Sequence, residues 1–260
     1  MPVESTPVPT RCSHPTVAIT VGDVAGVGPE LALRCISLPE VVERCTPILY
    51  GPATAIRKIA QTLNLDIQAK IRDVGTIDLG ALRPGLVSAE TGRASFQAVE
   101  KAIEDAIAKQ VDAIVTGPIQ KEAWHAAGMT FPGHTELLAD RTGVDEYCMM
   151  LTSEEISCVL ATIHVPLADV AGLLTTELVV RAIRQGSAAL SKRLGRPARV
   201  TVCGLNPHAG ENGLFSHGEE QAVIVPAIET ARAEGLEVIG PLPPDTAFTP
   251  RIRHQSDVYV

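Results

Sequence analysis

Short apolar runs alternate along this chain with longer segments whose apolar residues recur every three or four positions, the pattern of parallel strands joined by crossover helices. It predicts an α/β fold. Strands are expected over Thr16–Thr20, Pro47–Tyr50, Val111–Thr116 and Arg199–Leu205. Between Glu90 and Gln110 the residues Phe96, Val99, Ile103 and Ile107 share one helical face, with charged residues between them. Further helices are expected over 51–63, 177–194 and 218–234. The runs Tyr147–Thr152 and Ile156–Ile163 are separated only by a polar Ser-Glu-Glu turn, which predicts an antiparallel hairpin and so a mixed sheet. A last strand is expected to start at Asp257, and a domain rarely ends by starting one.

With 260 residues and 45% hydrophobic content, the chain can bury a real core. A net charge of -8 and 3% aromatic residues leave neither an electrostatic footprint for phosphate backbones nor stacking platforms, so nucleic acid is not an expected partner. A small anionic substrate is compatible, because a local basic or amide-lined pocket outweighs a weakly acidic surface. No apolar stretch approaches the roughly 18 residues of a membrane span. The six cysteines form no C-x-x-C pair and read as buried free thiols in a reducing compartment. Residues 1–15 lack the basic and apolar regions of a signal peptide and read as a disordered tail, which makes the expected location cytoplasmic.

Five polar segments each follow an apolar strand or turn, where open α/β sheets bind ligands. In GDVAGVGPE, Gly22–Glu30, the glycines permit a tight turn and Pro29 opens a helix whose free N–H groups suit an anion. It is not a G-x-G-x-x-G fingerprint, and alone such a segment is more often a plain strand-to-helix turn. TGPIQKEAWHAAG runs into FPGHTE, where Gly133, His134 and Thr135 bring amides, an imidazole and a hydroxyl to one spot suited to phosphate. The competing reading is a threonine N-cap beside a surface histidine. His125 sits in mid-helix and is expected to be exposed. His164 in IHVPL and His208 in GLNPHAGENG stand at strand ends and could together hold a divalent metal, although each alone is more often structural. Two imidazoles fall short of the three protein ligands of catalytic zinc. Asp245 in GPLPPDTAF is available as a base or extra ligand, against its commoner role as a turn residue.

GDVAGVGPE, TGPIQKEA, PGHTELLA, HVPL, GLNPHAGENGLF and GPLPPDTAF, taken in this order, resemble the 4-hydroxythreonine-4-phosphate dehydrogenase family of pyridoxal phosphate synthesis, along nearly the whole chain from about Thr16. The resemblance implies an isocitrate/isopropylmalate-dehydrogenase-like fold, with two α/β domains, a mixed sheet and a cleft between the domains. The first domain is expected over 16–118, and the second, with the metal and phosphate motifs, over 119–260. Also implied are a homodimer with its active site near the dimer interface, a divalent metal (zinc, magnesium or cobalt) and NAD or NADP. The implied reaction is oxidation of 4-phosphooxy-L-threonine with decarboxylation to 3-amino-2-oxopropyl phosphate. By position in the motifs, the resemblance assigns substrate binding to His134 and Thr135, metal binding to His164 and His208, and a proton-transfer or orienting role to Asp245. More loosely, it places Gly22–Glu30 and Lys121 along the cleft.

The family's third metal histidine stands in a Y-H-D-Q-G motif beyond the point where this chain stops, together with further substrate and nucleotide residues. The resemblance therefore implies that both domains are incomplete here, and that these residues alone bind metal weakly and turn over little. TGPIQKEA and GDVAGVGPE also depart, tolerably, from the commoner T-A-P-I-N-K-E and G-D-P-A-G-I-G-P-E. Two alternatives stay open: a dehydrogenase of D-threonate or D-erythronate 4-phosphate, with almost the same motifs, and an inactive truncated remnant. An aromatic dihydrodiol dicarboxylate is disfavoured, because PGHTE retains a phosphate-type pocket.

Overall fold

The structure, a computed structural model, describes residues 14–260. The tail expected over residues 1–15 lies outside the described residues except for His14 and Pro15, and the Pro15 carbonyl already accepts the Thr46 N–H at 2.8 Å. The chain divides into two compact units, one running to Val144 and the other from Asp145 to Val260.

In the first unit the order is β1 (Thr16–Thr20), α1 (Gly28–Cys35), α2 (Pro39–Val42), β2 (Thr46–Gly51), α3 (Ala53–Leu63), β3 (Lys70–Asp73), α4 (Ala89–Ile107), β4 (Ala113–Thr116), α5 (Lys121–Ala126) and α6 (His134–Thr142). The four strands form a parallel sheet in the order β3-β2-β1-β4. Successive residues point to opposite faces. Ile19 and Leu49 therefore pack with Leu33, Ile36 and Ile56, while Ala18 and Tyr50 pack with Ala98 and Ala102 of α4. Both faces are covered, as parallel sheets require. β3 has no expected counterpart, because KIRD carries a single apolar residue and lies at the sheet edge.

The expected domain boundary at residue 118 is corrected by this packing. Trp124 of α5 and Leu137 of α6 are buried against Phe96, Val99 and Ile103 of α4, and the Trp124 indole N–H donates to Ser95 Oγ at 2.8 Å. Burial of each such apolar side chain is worth about 1.5–3 kcal/mol. That cluster binds the TGPIQKEA and PGHTE segments to the first unit, so the phosphate motif and the two candidate metal histidines fall in different units.

The second unit runs β5 (Met149–Thr152), β6 (Ser157–Leu160), α7 (Val170–Leu173), α8 (Thr176–Leu194), β7 (Arg199–Cys203), a π turn (Glu220–Ile224) leading into α9 (Val225–Ala233), β8 (Glu237–Leu242), α10 (Pro244–Ala247), α11 (Pro250–Arg253) and β9 (Val258–Tyr259). The expected hairpin forms, with β5 antiparallel to β6 from Met149↔Leu160 to Thr152↔Ser157. The other pairings are parallel, and the mixed sheet has the order β5-β6-β9-β7-β8. Val180 and Ile183 of α8, Val200, Ile228 and Val258 form its core.

β9 is short, yet it lies between β6 and β7. Just before it, Asp257 accepts hydrogen bonds from both terminal nitrogens of Arg196 at 2.8 Å, from the Arg199 peptide N–H at 2.8 Å and from the Arg199 guanidinium at 3.1 Å. The Arg196 hydrogen bonds, with those of Arg199, outweigh burial and hold the Asp257 carboxyl well below the usual carboxylate range. A folded value below the unfolded 3.8 stabilises the fold above about pH 4, and the contribution disappears as pH falls toward the folded value. Asp257→Asn is expected to lower the melting temperature by several degrees at pH 7. The gap should narrow steadily on acidification below pH 4; a gap independent of pH, measured by circular dichroism, contradicts the assignment.

Candidate functional site

Because β6, β9, β7 and β8 run parallel, their C-terminal ends share one edge of the sheet. His164 follows β6, His208 follows β7 and Asp245 follows β8, so all three emerge along that edge. His164 is exposed and has a φ of 57°, in the left-handed region that costs a non-glycine residue about 1–2 kcal/mol. The His208 ring stacks on Phe215 with centroids 5.1 Å apart, and its Nδ1 lies 3.7 Å from a Glu211 carboxylate oxygen. Asn206 closes this loop: its Oδ1 accepts the His208 and Gly210 N–H groups at 3.0 and 3.1 Å, and its Nδ2 donates to the Phe215 carbonyl at 2.7 Å. Asp245 stands on the short helix α10 rather than in the expected loop, exposed, with an oxygen accepting from Thr246 Oγ1 at 3.2 Å. Tyr259 of β9 steadies that helix by donating to the Ala247 carbonyl at 3.1 Å and stacking on Phe248 at 4.5 Å. Among the described residues no three His, Cys, Asp or Glu side chains close into a group that could hold a metal ion. The edge gathers the expected residues without forming a complete cage.

In the first unit β1 lies between β2 and β4, so the chain leaves it on both sides; such a switch point opens a crevice beyond the strand ends. Gly22 has a φ of 72°, and a Cβ there would meet the Pro118 carbonyl oxygen at 2.2 Å. The loops after β1 and β4 therefore touch backbone to backbone, and the Asp23 N–H donates to the same oxygen at 3.0 Å. The buried Asp23 carboxylate accepts the Ala25 N–H at 2.8 Å and the Thr91 hydroxyl at 3.2 Å, so it is committed to shaping the loop. A pocket of about 230 Å³ opens beside it, lined by Asp23, Val27, Leu86, Val87, Ile119 and Gln120. Sequence reasoning singled out the glycine-rich side of this pocket and missed Leu86 and Val87, which belong to no motif.

α6 opens at His134, with Gly133 before it in an extended conformation and Thr135 in its first turn. His134 packs edge-on against Trp124 at 5.7 Å, and its Nε2 is buried without a hydrogen-bond partner among the described residues. Lys121 of α5 reaches the same place, its Cε 3.8 Å from where a Cβ on Gly133 would lie. Burial and the Lys121 charge hold the imidazole below its ordinary pKa, against an opposing pull from Glu136. An ammonium beside a helix N-terminus forms a local field that favours an anion, to which the imidazole adds a potential N–H donor. His125 is exposed on α5, as expected. Removing the cation in Lys121→Ala should raise the His134 pKa toward 6.5, as followed by NMR titration of the ring protons. An unchanged midpoint would show that the ammonium does not act on the ring.

The structure matches a crystal structure of 4-hydroxythreonine-4-phosphate dehydrogenase from Burkholderia phymatum with a TM-score of 0.84 and 38% identity, covering 95% of this chain and 79% of that one. Fold and likeness together define an oxidoreductase with the isocitrate/isopropylmalate-dehydrogenase-like α/β fold. The chain belongs to the PdxA family: residues 43–260 match the family described as "Pyridoxal phosphate biosynthetic protein PdxA". A D-threonate 4-phosphate dehydrogenase from Cupriavidus necator is 40% identical over 261 residues, covering 95% of this chain and 78% of its own length. A 4-hydroxythreonine-4-phosphate dehydrogenase from Desulfosudis oleivorans is 39% identical over 254 residues, covering 90% and 74%.

Proposed function

We propose that this chain serves the oxidation of 4-phosphooxy-L-threonine by NAD or NADP, with decarboxylation to 3-amino-2-oxopropyl phosphate, and that the start of α6 receives the substrate phosphate. The observation that carries this reading is the buried His134 Nε2, which lacks a hydrogen-bond partner among the described residues, beside Lys121 at a helix N-terminus. Thr135 adds a hydroxyl donor in the first turn. The family names of the relatives, which specify phosphorylated hydroxy acids, support the same chemistry.

His164 and His208 would hold the divalent metal, whether zinc, magnesium or cobalt. The chemistry of the donors fits: two imidazoles follow parallel strands onto one sheet edge, where the exposed Asp245 carboxyl group also emerges. Such a cation supplies Lewis acidity, stabilising negative charge on the substrate oxygen during oxidation and loss of carbon dioxide. Asp245, exposed at the same edge, takes or returns the hydroxyl proton. The nicotinamide cofactor, which accepts the hydride, has a candidate seat for a flat ring in the apolar pocket at the β1/β4 switch point. We further propose a homodimer working in the cytoplasm. Exposed Leu167 and Leu214 are compatible with a buried subunit contact, free cysteines are compatible with a reducing compartment, and no helix among the described residues is long and apolar enough to cross a membrane.

A second reading, oxidation of D-threonate 4-phosphate, is favoured by the 40% identity to the Cupriavidus necator enzyme. Assaying both acids with either nucleotide and added metal separates the two by the ratio of their kcat/KM values. Failure to bind either acid, read by calorimetry, overturns the proposal. His134→Ala and Thr135→Ala should each weaken binding of the phosphorylated substrate by roughly 1.5–3 kcal/mol, the range of a hydrogen bond to a charged group. Calorimetry showing unchanged affinity in both variants contradicts the phosphate assignment. His164→Ala and His208→Ala should each make bound metal substoichiometric by elemental analysis, and full occupancy in both excludes the paired imidazoles.

A further inference from the structure

The loop that carries His208 rests on a side chain that neither the fold nor the proposed reaction uses. Glu220 is 1% exposed, and both of its carboxyl oxygens are buried without a hydrogen-bond partner among the described residues. One oxygen lies 2.4 Å from where a Cβ on Gly210 would stand, and Ser216 Oγ lies 3.0 Å from that same point. The carboxyl group thus fills the space under Gly210, in the middle of the loop that Asn206 closes around His208. It begins a π turn, an irregularity found frequently at functional sites, at the entry to α9. The loop above is left-handed at Ala209, Gly210, Glu211, Asn212 and Gly213, a run that the chain adopts only when its surroundings impose it.

A buried carboxyl group with no partner is destabilising, and native structures rarely keep one without a reason. Here the group lies under a loop bearing a candidate metal ligand. We propose that Glu220 is the positioning residue of that loop: through Gly210 it fixes the backbone from which His208 projects, and its buried carboxyl group favours a divalent cation above it. This inference rests on the reading of His208 as a metal ligand. It extends that reading to a residue that does not itself touch the metal, in the way that groups behind a ligand commonly tune metal affinity.

In Glu220→Gln the affinity for cobalt(II), read by isothermal titration calorimetry on the full chain, should fall roughly 10–100-fold. The melting temperature of the metal-free variant should equal or exceed that of the wild type, because an unpartnered acidic group has been removed. Glu220→Asp, which keeps the acid, should recover part of the lost affinity. Should Glu220→Gln fail to fold, Glu220→Asp carries the test alone, with weakened binding and an undiminished metal-free melting temperature expected. Wild-type affinity in both variants overturns the inference while leaving His208 in place. A loss of metal-free stability that accompanies the loss of affinity also overturns it, by reducing Glu220 to a packing residue. If His208→Ala binds cobalt as tightly as the wild type, the metal reading falls and takes this inference with it.

Discussion

The carboxylate of Asp257 gathers Arg196 and Arg199 and so pins the start of β9 between β6 and β7. Everything at the C-terminal edge of the second sheet depends on that insertion. With β9 in place, β6 and β7 stand two strand spacings apart, roughly 10 Å. The loops bearing His164 and His208 therefore leave the sheet on either side of β9. Tyr259 adds the third loop by holding α10, and with it Asp245, against the same strand. A two-residue strand thus sets the spacing of three candidate functional groups.

Around these groups the backbone departs from its usual conformations. His164 is left-handed, and so are Ala209, Glu211 and Asn212 beside His208. Each such residue costs about 1–2 kcal/mol, which the ordered core of Val180, Ile183, Val200, Ile228 and Val258 offsets. The strained run lies above the unpartnered Glu220, and both features lower stability. The first unit behaves differently. Its glycine-rich loop is held by Asp23, bonded to Ala25 and Thr91, and its exceptional group is His134, whose Nε2 lacks a partner among the described residues.

Much of this was legible in the sequence because it depends on local periodicity. β1 falls on Thr16–Thr20 as expected, the hairpin of β5 and β6 follows from its polar turn, and β9 appears where Asp257 signals a last strand. What escaped depends on tertiary contact. β3 is an edge strand whose charged residues mimic a loop. The unit boundary lies at Val144 rather than at residue 118, because Trp124 and Leu137 choose the face of α4, a choice that composition does not record. Lys121 became a neighbour of His134 only when α5 and α6 packed, and Glu220 reads in sequence as one more charge on an amphipathic helix. Motifs located His164 and His208, whereas the parallel order of the strands supplies the reason for their common edge.

If this edge binds a metal through His164 and His208, as proposed, the ligands can be counted directly. X-ray absorption at the cobalt edge, recorded on the cobalt-loaded protein, counts imidazole ligands from their characteristic outer-shell scattering. Two imidazoles per cobalt are expected in the wild type and one in His208→Ala. A bound cobalt with no imidazole scattering, or the same imidazole count in the variant, would contradict the proposal.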